Sequence, residues 1–166
     1  MAAALPGGAA AAEDAAALKR TREAAHRLLK EGEARAAAEE FQRLVELTEW
    51  TDDVADDVKV VRLAEQADAY VGMSRALKLA GDLEPSLESV MRARRLYAMT
   101  GKASLQAALA GSLEAEALVE LERYREALGS MEGALALAVE ARGEHHEVSR
   151  QLRQGLQGMR DVLVAK

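Results

Sequence analysis

A row of basic side chains near the start of the chain is the feature best suited to bind a charged partner. The row consists of Lys19, Arg22, His26 and Lys30. Because its members are three or four residues apart, a helix would present all of them on one face. Such a face attracts carboxylates, but an ordinary solvated helix surface has a similar composition. The spacing therefore leaves two interpretations open, a binding surface and a solvated face.

The three histidines are not spaced for metal-dependent catalysis. His146 and Glu147 begin a pattern typical of zinc proteases, but Arg150 stands where that pattern needs a second histidine. On a helix, His145 and His146 would project about 100° apart, which makes them a poor pair of metal ligands. We interpret both as residues of a solvent-exposed helix start.

An acidic run, Asp52, Asp53, Asp56 and Asp57, could attract calcium. It lacks the alternating aspartates, the glycine and the distant bidentate glutamate of a calcium-binding loop. We interpret the run as a helix N-terminus, with the residues from Thr51 onward supplying N-cap chemistry. No glycine-rich phosphate loop follows a strand pattern. We therefore expect no catalytic residues, no metal site and no cofactor.

Composition favours a helical protein whose core is built from small side chains. Of the 166 residues, 49% are apolar but only 3% are aromatic, and there are two prolines. A net charge of −6 argues against nucleic-acid binding, and the absence of cysteine excludes disulfides and iron–sulfur clusters. No run approaches the roughly 18 apolar residues that span a bilayer, so we expect no membrane partner and a cytoplasmic location.

Apolar residues recur at helical spacing in seven stretches. The expected helices cover about 13–32, 34–47, 53–80, 84–99, 103–121, 125–141 and 144–165. Residues 1–12 are rich in alanine and glycine, and we expect a disordered tail there, followed by one helical domain over 13–166. Trp50, the only tryptophan, is expected to anchor the joint after the second helix; contact with a partner is the alternative.

Short polar turns between these stretches recur along the chain. They are Gly32-Glu33-Ala34, Gly81-Asp82-Leu83 and Glu122-Arg123-Tyr124. Each turn separates two helical patterns. An apolar residue follows the turn, and a small residue lies three positions after it. Repeated helix–turn–helix units predict stacked hairpins, because one hairpin cannot bury its apolar faces alone.

The hairpins resemble tetratricopeptide repeats over about residues 18–141. The middle unit matches at Tyr70, Met73, Ser74, Leu77, Gly81, Asp82, Leu83, Ser86, Val90 and Ala93. The third matches at Ala115, Leu118, Tyr124, Ala127, Met131, Ala134 and Leu135, and the first at Ala24, Ala25, Leu28, Gly32, Ala34, Ala37 and Phe41. Glu122 replaces the usual turn glycine, and Gly111 replaces a large apolar residue. The turns are 49 and 41 residues apart, against a common period of about 34, so the chain looks like the extended-repeat branch seen in kinesin light chains or rapsyn-like scaffolds.

The resemblance implies an all-α fold, a right-handed α-solenoid of three hairpins over about 18–50, 67–100 and 108–141 with a capping helix at 144–165. It also implies a non-catalytic adaptor or scaffold for protein–protein interaction, with a concave groove lined by the first helix of each hairpin. The expected groove residues are Lys19, Arg22, His26, Lys30, Asp68, Val71, Arg75, Lys78, Leu109, Ser112, Glu116 and Glu120. At positions where related domains grip a chaperone's C-terminal carboxylate, only Arg22 has a suitable side chain, so we do not expect that ligand.

The expected partner is a peptide or helix of another protein, with an acidic segment docked at the first two repeats. Arg75 and Lys78 continue the positive row, and Glu116 and Glu120 reverse its sign. This gradient would orient the segment. We expect a monomer in isolation. The alternative is a self-associating structural subunit of a larger cytoplasmic or cytoskeletal complex.

Overall fold

The computed structural model describes residues 7–49 and 55–165, with side chains from residue 11 onward. Almost all of these residues lie in seven α-helices, and no strand occurs among them. The helices are α1 (Gly7–Glu31), α2 (Ala34–Leu47), α3 (Asp56–Ala80), α4 (Leu83–Met99), α5 (Leu105–Glu120), α6 (Tyr124–Arg142) and α7 (Glu147–Val164). The all-α class predicted from the sequence is therefore confirmed.

The predicted helix limits agree with the structure to within two residues except at three starts. Helix α1 begins at Gly7, so its first turns occupy part of the predicted tail; the alanines that follow Gly8 have the highest helix propensity of any residue. Helix α3 begins at Asp56, after Ala55 at the N-cap, rather than near residue 53. The roles predicted for Trp50, Thr51, Asp52 and Asp53 lie outside the described residues.

The start of α7 also differs from the prediction, because His146 is its N-cap residue. The backbone at His146 is extended, and its Nδ1 accepts a hydrogen bond from the Val148 amide at 3.3 Å. The sequence predicts a helix start at residue 144. The N-cap lies two residues later, and the first helical residue, Glu147, lies three residues later. The imidazole satisfies one of the amides that a helix leaves unpaired at its first turn.

The three hairpin turns share one backbone conformation. Gly32 and Gly81 have φ values of 81° and 85°, and Glu122 occupies the equivalent position with φ of 60°. In each turn, the amide that follows this residue donates to the carbonyl five positions earlier, at 2.8–3.0 Å. This is the hydrogen bond of a Schellman cap, which ends a helix through a left-handed residue. The turn pattern recognised in the sequence thus corresponds to a repeated structural unit, including the copy that lacks glycine.

Helices pack mainly on their neighbours in the chain, and the first helices of successive hairpins also touch, α1 on α3 and α3 on α5. One hydrophobic cluster around Phe41 joins α1, α2 and α3, and a second joins α3 to α7. The predicted small positions Ala37, Ser86 and Ala127 are all buried. Side chains of this size let neighbouring helices approach closely, which suits a core with few aromatic residues.

Two glycines mark the closest approaches between helices. A Cβ atom on Gly72 of α3 would lie 2.2 Å from Cε1 of Phe41 in α2. A Cβ atom on Gly111 of α5 would lie 2.9 Å from the Cβ of Ala134 in α6. Gly111 departs from the repeat pattern. It lets α5 pack closely on α6, where the facing residue, Ala134, is also small.

The last helix, α7, packs on α6 through Leu152 and Leu156, which are buried. Gly155 makes only an ordinary contact, since its added Cβ would lie 3.7 Å from Cε of Met131. An added Cβ on Gly158 would meet nothing within 4 Å. The two glycines of α7 are therefore not required by packing within the chain.

We predict opposite effects of alanine at two helical glycines. Gly72→Ala should lower the free energy of unfolding by roughly 1–3 kcal/mol, because the new methyl group overlaps the Phe41 ring. Gly158→Ala should raise it by up to about 1 kcal/mol, since alanine favours the helix and the site is open. Urea denaturation of both variants measures the difference. Equal effects would show that Phe41 moves aside at little cost.

Candidate functional site

The first helices of the three hairpins, together with α2 and α4, enclose one pocket of about 380 Å³, here named the groove pocket. Six of the predicted groove residues line it: Arg22, His26, Asp68, Val71, Arg75 and Leu109. They come from α1, α3 and α5, and the contacts of α3 with both other helices bring them together. Residues from the first halves of three separate repeats thus share one cavity.

The other predicted groove residues do not line this pocket. Lys19 is exposed and lies 4.0 Å from Glu23 on its own helix. Lys78 lies 3.0 Å from Glu116 and 2.9 Å from Glu120, so it bridges α3 to α5. The predicted change from positive to negative charge along the groove is therefore corrected at Lys78, Glu116 and Glu120, because these opposite charges pair with each other. Lys30 and Ser112 also lie outside the pocket lining.

The floor of the groove pocket is apolar and closely packed. The Phe41 ring is 1% exposed and lies against the backbone of Gly72. The His26 ring meets it edge-on, with the ring centroids 5.3 Å apart and the planes at 85°. Leu109, from α5, is 40% exposed and supplies an accessible apolar surface on the other side. Such a floor could receive an apolar side chain of a partner.

The two carboxylates of the pocket are both engaged. Glu65 lies 3.3 Å from Arg22 and 3.6 Å from Arg62. Asp68 accepts a hydrogen bond from the hydroxyl of Tyr97, which is buried. Burial and then the Asp68 carboxylate raise the pKa of Tyr97 above its ordinary range, so the phenol remains a neutral donor.

The cationic side of the pocket is less completely paired. Arg75 is exposed and makes no ion pair with any residue in the described ranges 7–49 and 55–165. Partial burial lowers the pKa of His26 below its ordinary value, and the charges of Arg22, Lys30 and Arg75 lower it further, while Asp68 opposes them. Burial, and after it the nearby positive charges, therefore favour the neutral form of His26. An incoming carboxylate would offset those charges.

Sequence reasoning missed the contributions of the second helices to this site. Phe41 and Leu44 of α2 and Tyr97 of α4 line the pocket, although the prediction assigned the groove to first helices alone. Glu65, one turn before Asp68 on α3, was also missed. A row extended by one helical turn would have found Glu65, whereas the aromatic residues were predicted only as packing residues.

Residues suited to metal or membrane chemistry are not assembled in the described part of the chain. Within residues 7–49 and 55–165, no group of three or more histidine, aspartate or glutamate side chains could hold a metal ion. Nor does any helix in those ranges combine the length and apolar character needed to cross a membrane. Every buried polar side-chain atom described there has a hydrogen-bond partner.

Comparison with known proteins gives no family for this chain. The sequence matches no protein-family model, and no curated protein shows significant similarity to it. The geometry and charge of the groove pocket are therefore the basis for proposing a function.

The electrostatic environment of His26 gives a direct prediction. An NMR titration should place the pKa of its imidazole below the ordinary histidine value. Arg75→Gln should raise that pKa, because one of the cations that oppose protonation is removed. Arg153→Gln, an equal change on exposed α7, should leave it unaltered. A titration of His26 that does not respond to Arg75→Gln would mean that the two side chains do not share the pocket.

Proposed function

We propose that this protein is a non-catalytic adaptor or scaffold that binds an acidic peptide or helix of another protein in the groove pocket. The main support is the combination of an apolar floor with one exposed cation, Arg75. Arg75 makes no ion pair among the described residues, and nearby positive charges add to burial in lowering the pKa of His26. Both features favour a ligand that brings a carboxylate.

The architecture we propose is a right-handed α-solenoid of three tetratricopeptide-like hairpins, with α7 as its C-terminal cap. Three turns with the same left-handed residue and the same hydrogen bond support a repeated unit. Contacts of α1 with α3 and of α3 with α5 support the stacking of these units in chain order. In such a stack the first helices line a continuous concave surface, which suits an extended or helical ligand.

The floor and the charged side chains of the pocket would have different roles in binding. An apolar side chain of the partner would be desolvated against Phe41 and Leu109 and would set the lifetime of the complex. Arg75 is exposed, so its charge would act mainly on the rate of association and on orientation. An amphipathic segment with an acidic residue beside an apolar one combines both properties.

Reversing the charge at Arg75 should weaken binding without unfolding the protein. Arg75→Glu should slow association with a partner isolated by affinity purification by roughly ten-fold at low ionic strength, since steering is lost. Its melting temperature should change little, because exposed charges contribute little to stability. Arg153→Glu makes the same change of net charge outside the pocket and serves as the matched control. Stopped-flow or surface plasmon resonance measures the association rates. Equal slowing in both variants would show that the effect depends only on net charge.

A second candidate function, a self-associating structural subunit, is favoured by an apolar cleft of about 310 Å³ beside α7. The cleft is lined by Val119, Tyr124, Gly155, Gly158, Met159, Val162 and Leu163. Val162 is 51% exposed, so this surface is accessible in one copy of the chain. A second copy that covered it would remove apolar area from water.

Chromatography with light scattering separates the two candidates. The adaptor function predicts the mass of a monomer at every concentration, and this is the result we expect. If the cleft joined two copies, the mass would rise with concentration, and Val162→Glu would restore the monomer by placing a charge in the contact. A mass that rose in the variant as well would place the contact elsewhere.

A further inference from the structure

A second pocket, of about 330 Å³, lies between α4, α5 and α6 and is here named the basic pocket. Its cations are Arg94 and Arg95 of α4 and Lys102 of the following turn. Glu114 of α5 is the only carboxylate among the described residues that line it. The lining residues therefore carry a formal charge of +2, although the whole chain has a net charge of −6.

Arg94 is held in a fixed orientation by a buried network. Its Nη1 donates to Oε2 of Glu114 at 2.7 Å, and the hydroxyl of Ser130 donates to Oε1 of the same carboxylate at 2.8 Å. Glu114 is 8% exposed, so its charge is well shielded from water. A buried carboxylate with both oxygens engaged is a strong constraint on the guanidinium that it contacts.

The same guanidinium retains an accessible edge. The Arg94 side chain is 31% exposed, and a guanidinium has five N–H donors. Donors not used by Glu114 can therefore bind a further anion.

The other two cations have no ion-pair partner among the residues that the structure describes. Arg95 and Lys102 are exposed, and neither makes an ion pair with a residue in the described part of the chain. The ion pair between Arg94 and Glu114 is enough to link α4 to α5. It does not explain why two further cations line the same cavity. Three cations and one carboxylate among the lining residues leave positive potential in the pocket.

The rest of the lining is apolar. Met91, Ala98 and Leu137 surround the cations, and Met91 is 38% exposed. A cavity with a predominantly apolar wall and a few convergent polar groups is typical of sites for small molecules, and about 330 Å³ is near the lower end of their range. A ligand with one charged end and a short hydrocarbon body matches both parts.

We propose that the basic pocket binds a small amphipathic organic anion. Its carboxylate would accept hydrogen bonds from the free edge of Arg94 and attract Arg95 and Lys102, and its hydrocarbon body would lie against Met91 and Leu137. A carboxylate is favoured because the fixed guanidinium presents parallel donors to two oxygens. This site shares Tyr97 with the groove pocket, but none of its three cations lines that pocket, and it does not depend on the proposed adaptor function.

Octanoate, octanol and acetate test the proposal as probes of the intact, isotope-labelled chain. In NMR titrations, octanoate should shift the resonances of Met91, Ala98 and Leu137 in a saturable manner. Octanol lacks the charge and acetate lacks the body, so both should bind roughly ten-fold more weakly or not at all. Equal binding of octanol would overturn the proposal, because the cations would then have no role. Shifts confined to the groove pocket, or no saturable shift, would also overturn it.

Matched variants test the contribution of the unpaired cations. Arg95→Gln combined with Lys102→Gln should raise the Kd for octanoate roughly five-fold or more, while circular dichroism shows an unchanged fold. Arg125→Gln combined with Arg153→Gln removes the same charge from exposed sites outside the pocket and should leave the Kd within about two-fold of the original. Met91→Glu should abolish octanoate binding by placing a carboxylate in the pocket. An unchanged Kd in the first double variant would contradict the assignment.

Discussion

The contact between the Phe41 ring and the backbone of Gly72 is the constraint on which the first two hairpins and the groove pocket depend. The ring fills the space that a side chain at position 72 of α3 would occupy. Helices α2 and α3 can therefore pack this closely only while residue 72 is glycine. The same ring forms the floor of the pocket and supports the His26 imidazole. Packing between repeats and the shape of the site therefore have a common origin.

Electrostatic pairing within the helix stack determines which charges remain for a partner. Lys78 is neutralised by two glutamates of α5, and Arg22 shares Glu65 with Arg62. Most charges near the groove are thus engaged in contacts between helices, which leaves the exposed Arg75 as the clearest unpaired one in the described structure. In the basic pocket the cations outnumber the carboxylates, since three cations and one buried glutamate are among its lining residues.

The sequence predicted elements better than it predicted contacts between them. Apolar periodicity and the turn at Gly81 determine local structure, so all seven helices of the described residues end within about one residue of the predicted limits. The same spacing assigned Arg22, His26 and Arg75 to one predicted groove, and all three line the groove pocket. The bridge from Lys78 to α5 could not be predicted, since it depends on the distance between helices rather than on the order of residues.

The left-handed backbone at Glu122 has a consequence for the way the molecule opens. A residue with a Cβ in this conformation is strained by about 1 kcal/mol relative to the glycines at the other two turns. Since helices contact mainly their chain neighbours, that strain weakens the third hairpin rather than the whole molecule. Amides of this turn should exchange with solvent earliest of the three, so the third hairpin should be the first of the three to open locally.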